Sequence, residues 1–66
     1  MQQIRIGQRY RKVGGAWMVW QVVAIAQGQY GIRHYRISDA KDPSDVRLIS
    51  EKALADPKLY QLIEET

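Results

Sequence analysis

The chain has 66 residues, no cysteine, a single histidine and a formal net charge of +3. A chain of this length forms one small domain with a limited core, and its residue inventory excludes disulfide staples and a zinc site of the Cys/His kind. Charge is unevenly spread. Residues 1–38 hold six bases (Arg5, Arg9, Arg11, Lys12, Arg33, Arg36) and no acid, whereas residues 39–66 hold four bases and seven acids, so the two parts carry +6 and −3. Such an imbalance points to an anionic partner unless the parts neutralise each other across the fold.

Met1 to Arg5 lead straight into strand-like sequence without the apolar region of a signal peptide. The longest apolar run, residues 22–26, is too short to span a membrane. A soluble, cytoplasmic protein with no membrane association is the expectation. Gly7-Gln8 then opens a first strand over residues 9–13. Gly14-Gly15 has the composition of a two-residue hairpin loop, because both glycines tolerate the positive φ of primed turns. A second strand follows over residues 17–26, rich in Val, Ile and Trp, which suit a pleated surface. The glycines of Gln27-Gly28-Gln29-Tyr30-Gly31 interrupt it. Residues 32–38, "IRHYRIS", form a third strand. Residues 39–45 are a polar loop with an Asp42-Pro43 turn signal, and residues 46–49 a fourth strand.

Residues 50–55 change character. Ser50 is a good N-cap, Glu51 suits a first turn, and Ala and Leu favour helix, so one helical or 3₁₀ turn is expected. Asp56-Pro57 restarts the chain. Asp56 as N-cap with Pro57 at the first helical position would begin a terminal helix, whereas "LYQLI" over residues 59–63 suits a closing strand. The strand is preferred, because a curled four-stranded sheet needs its edge covered.

A two-residue Gly14-Gly15 loop would set Lys12 opposite Trp17, Arg11 opposite Met18, Tyr10 opposite Val19 and Arg9 opposite Trp20. Alternation then puts Tyr10, Lys12, Trp17, Val19, Gln21, Val23 and Ile25 on one face, with Tyr10, Val19, Val23 and Ile25 as core. Arg9, Arg11, Val13, Met18, Trp20, Val22 and Ala24 share the other, where an arginine would lie on the Trp20 indole. A slip of one residue would exchange these faces. In the third strand Tyr35 and Ile37 point inward and His34 and Arg36 outward. The fourth strand buries either Leu48 or Ile49, and Leu54, Leu59 and Leu62 close the bottom.

The order of four strands, one helical turn and a last strand resembles the small SH3-like β-barrels, in which a 3₁₀ turn separates the last two strands. The resemblance runs from about Gly7 to Ile63 and rests on that order together with "GQRY", "WQVVAI" and "LISEKALAD". It implies an all-β, five-stranded SH3-like barrel with a helical turn near residues 50–55. The chain lacks the acidic and "ALYDY"-type segment of the proline-binding SH3 domains, so the resemblance concerns fold and leaves function open.

The residues leave little room for catalysis. There is no Cys, His34 lies on a strand with no group to orient it, and Ser38 and Ser50 stand near strand ends. Asp39, Asp42 and Asp45 approximate a calcium loop but lack its glycine and terminal glutamate, so a solvated turn accounts for them. No cofactor is expected. What stands out is basic residues among aromatics: Arg9, Arg11, Lys12, Arg33, His34 and Arg36 on neighbouring strands, with Trp17, Trp20, Tyr30 and Tyr35 between. Bases would neutralise phosphates, and exposed rings would stack on nucleobases. Nucleic-acid binding through Arg9, Arg11, Lys12, Trp20, Arg33, His34 and Arg36 is placed slightly ahead of a protein-interaction module. The latter would use an aromatic groove or sheet edge, with homodimerisation through Trp20 and Met18 as one form.

Overall fold

The computed structural model describes residues 3–15 and 18–64, together with no account of the side chains of Gln29 and Glu64. The elements are β1 (Arg9–Lys12), β2 (Val19–Gln27), a 3₁₀ turn (Gln29–Gly31), β3 (Arg33–Asp39), β4 (Val46–Ser50), α1 (Glu51–Leu54) and β5 (Tyr60–Glu64). The protein is all-β. Five antiparallel strands in the order β4-β3-β2-β1-β5 curl into a half-barrel, with one short helix.

The concave side holds the core: Ile4, Tyr10, Trp20, Val22, Tyr35, Ile37 and Leu54, with Met18, Ile49, Tyr60 and Leu62 packed against it. Strand pairing explains the choice. Residues directly opposite on neighbouring strands share a face, and Tyr10 stands opposite both Trp20 and Leu62, Val22 opposite Ile37, and Tyr35 opposite Ile49. Ile49 is thus the inward residue of β4, while Leu48 is 59% exposed. α1 is a plug. The Ser50 hydroxyl accepts from the Ala53 amide at 3.2 Å and caps the first turn, and the turn drives Leu54 into the core.

Two irregularities overturn the simple alternation. The first hairpin pairs Arg9 with Gln21, Tyr10 with Trp20 and Arg11 with Val19, one residue away from the register of a two-residue Gly14-Gly15 loop. The Lys12 amide donates to Met18 O at 3.1 Å, so the connection is longer, and Gly14 is left-handed at φ 80°. Ala16 and Trp17, including the expected inward place of Trp17, lie outside the described residues. The slip turns Trp20 inward and Val19 outward, the reverse of the sequence expectation. The second irregularity is a register shift in β2 between Val22 and Ala24. A bulge of this kind moves a strand's face parity by one. Val22 is inward before it, Ala24 stands opposite the outward Arg36 after it, and Val23 is exposed rather than core. Ile25 shares the face of Tyr35 yet is 55% exposed near the hairpin end.

The C-terminal run is a strand. Asp56 makes a turn rather than a helix: its carboxylate accepts from the Lys58 amide at 2.9 Å and its carbonyl from the Leu59 and Tyr60 amides. Leu54 and Leu62 pack as expected, but Leu59 is exposed; its backbone carbonyl instead accepts from the Val13 amide at 2.8 Å. Among the described residues no helix is long and apolar enough to cross a membrane.

Candidate nucleic-acid interface

Arg9 and Arg11 stand opposite Gln21 and Val19 on one flank of β2, and Arg36 and His34 stand opposite Ala24 and Ala26 on the other. Each alternates with an inward residue (Tyr10, Tyr35 or Ile37), so all four belong to the convex face. They follow β2 for about seven residues, roughly 20–25 Å at strand rise. Arg11 Nη2 donates to Gln61 Oε1 at 2.6 Å. Arg36 is exposed, and no ion pair to it occurs among the described residues. Arg9 is half-buried and engaged within the fold, and its backbone is in register with position 64 of β5, across a register shift.

The remaining expected residues fall elsewhere. Trp20 is 1% exposed, a core residue flanked by Tyr10, and the one-residue slip of the hairpin is the reason. An arginine does lie on its indole, but from β4: the Arg47 guanidinium sits 4.9 Å from the ring centroid. Arg47 stands opposite the buried Ile37 and so covers the concave side, with Asp45 Oδ1 3.7 Å from its Nε. Lys12 follows the parity of Tyr10 and faces Tyr60, and its alkyl stem passes over Gly15. Arg33 follows the parity of Tyr35. The neighbouring Tyr35 hydroxyl, and after it Glu51, raise its pKa above the ordinary arginine value. Glu51 in turn accepts from the Tyr35 hydroxyl at 3.2 Å.

His34 is on the convex face but is tied to the β2–β3 turn. Its Nδ1 lies 3.0 Å from Ile32 O, which also accepts from the Gly28 amide at 2.9 Å. The ring packs so closely on Gly28 that a Cβ there would lie 2.1 Å from Nδ1. The imidazole is therefore part of what fixes the turn.

That turn carries a residue the basic pattern did not single out as a site. Tyr30 is 94% exposed and left-handed (φ 60°, ψ 27°), alone among the described non-glycine residues in having positive φ, and Gly31 after it is left-handed too. A left-handed L-residue costs about 1–2 kcal/mol, and strain of this sort gathers at functional positions. The signal was present in "GQYG": an aromatic between two glycines at a strand break. Beside the turn is an open cleft of about 650 Å³ lined by Gly31, Ile32, Arg33, Glu51, Lys52 and Ala55.

The acidic loop is structural. Asp39 Oδ1 accepts from the Lys41 amide, and Asp42 Oδ1 from the Ser44 amide and hydroxyl, which are the bonds of Asx turns. No cluster of three or more metal-ligating side chains occurs among the described residues. No protein-family model, curated protein or solved structure matches the chain.

Proposed function

We propose that this protein is a non-enzymatic binding module of the SH3-like barrel type that binds nucleic acid along its convex face. The observation that carries the reading is the placement of arginines from β1 and β3 on the same face, on either side of β2. Among the described side chains of that face there is no carboxylate beside Arg11 or Arg36. The acids whose contacts are resolved point to other work: Asp45 to Arg47, Glu51 to Tyr35, and Asp39, Asp42 and Asp56 to turns. Weight rests on Arg11 and Arg36, since Arg9 is already engaged and His34 holds a turn. The barrel assignment draws on the helical turn between the last two strands.

Binding of labelled DNA and RNA at several salt concentrations tests the proposal. Affinity should fall steeply with salt, and Arg11→Ala combined with Arg36→Ala should flatten the log–log slope by about 2. Binding that ignores salt, or that survives the double substitution unchanged, would falsify this reading. A protein partner is the second reading. It draws on exposed Val46 and Leu48 along β4, an edge strand able to accept another strand, and it expects weak salt dependence.

A further inference from the structure

Resting on the nucleic-acid reading, we propose that the β2–β3 turn is a single-strand reader: Tyr30 stacks on an unpaired base while Arg33 and Lys52, in the adjoining cleft, take the neighbouring phosphate. Three independent features converge on this place. The Tyr30 side chain is almost wholly in solvent, so it contributes little to the core, yet it occupies a left-handed position that Gly or Asn would fill with less strain. The turn beneath it is clamped, by Gly28 N and His34 Nδ1 converging on Ile32 O and by the His34 ring filling the space where a Gly28 side chain would be. The ring is therefore carried on a fixed base. Thirdly, the cleft beginning at Gly31 has two cations, Arg33 and Lys52, against one carboxylate, Glu51, so its lining is net positive.

The geometry selects the ligand class. An exposed tyrosine offers a π-face that any base can stack on, provided the base is out of a duplex. Double-stranded nucleic acid buries those faces in its own stack, so it would meet the basic convex face but not the ring. DNA and RNA strands share the chemistry required.

The test uses the whole chain with fluorescein-labelled 12-nucleotide single strands of DNA and of RNA, and the corresponding DNA duplex. Tyr30→Asn removes the ring while keeping a residue that tolerates the left-handed conformation, and Tyr30→Phe keeps the ring. Tyr30→Asn should weaken single-strand binding about 5- to 150-fold and change duplex binding less than about twofold, with Tyr30→Phe close to the parent. Arg33→Ala and Lys52→Ala should each flatten the single-strand salt slope by about 1. Unfolding midpoints of the variants, measured alongside, establish that they fold. If Tyr30→Asn leaves single-strand affinity intact, or lowers duplex affinity equally, the reader is wrong although the basic face stands. If the parent chain binds none of the three probes, the nucleic-acid reading itself fails. The DNA and RNA arms distinguish the source of the strand.

Discussion

At the scale of single residues, the core is built from a few large side chains, and the buried polar atoms among them decide where it is vulnerable. Gln8 is fully buried, and its amide is a knot: Oε1 accepts from the Arg5 amide at 2.7 Å and from the Tyr10 hydroxyl at 3.0 Å, while Nε2 donates to Gln3 O at 3.2 Å. Gln8 shares the inward parity of Tyr10, and a polar side chain is accommodated there because bonds to the nearby Gln3, Arg5 and Tyr10 satisfy its amide. Trp20 presents the opposite balance. It fills the core, but its indole Nε1 has no hydrogen-bond partner among the described residues, so its contribution is mainly apolar area and packing. Trp20→Ala should therefore cost about 3–5 kcal/mol. Arg47→Ala removes an exposed cation from the face of the same ring and should cost only about 0.5–1 kcal/mol. Urea unfolding of both variants checks the contrast. Comparable losses would mean that the arginine supports the core far more than an exposed cation–π contact does.

At the scale of elements, the β2–β3 hairpin depends on one absent side chain. A Cβ at Gly28 would meet His34 Nδ1 at 2.1 Å, Cε1 at 2.3 Å and Ile32 O at 2.8 Å. Gly28→Ala should destabilise by about 1–3 kcal/mol, the usual range for overpacking. Adding His34→Ala should recover only part of that, because the backbone carbonyl of Ile32 remains in the way. A double-mutant cycle on urea midpoints measures the recovery; full recovery would place the whole clash in the imidazole. The existence and order of the elements were legible from turn residues and β-branched runs, down to the Ser50 cap and the closing strand. The faces were not. A two-residue loop after Val13 and unbroken alternation through Val23 are the simplest readings of the letters. A longer connection and a bulge each move the pattern by one residue, and both depend on pairing that local sequence does not encode. The candidate site divides along the same line. Arg36 and His34 lie on the convex face because β3 alternates regularly, whereas Trp20 left the site because the β1–β2 connection is longer than two residues and slips the pairing by one.

At the scale of the whole molecule, the sheet is completed from far away in sequence. β5 covers the outer edge of β1, setting Leu62 opposite Tyr10 and Tyr60 opposite Lys12, while Leu59 O receives the Val13 amide. Tyr10 is 1% exposed only with that strand in place. A chain ending at Ala55 would keep β1 to β4 and α1 but leave one side of Tyr10 uncovered and a row of β1 backbone groups unpaired. The lost packing at Leu62 and Tyr60 is worth about 1.5–3 kcal/mol each. A chain of this size has about 3–10 kcal/mol of stability in total, and the unpaired backbone adds to the deficit. The truncated chain should lose its sigmoidal urea transition and the chemical-shift dispersion of its amide protons. A synthetic peptide of residues 56–66, added in excess, should restore both by re-forming the β1–β5 pair. A truncated chain that unfolds cooperatively without the peptide would show instead that β1 to β4 and α1 form a self-sufficient core, with β5 an attached edge.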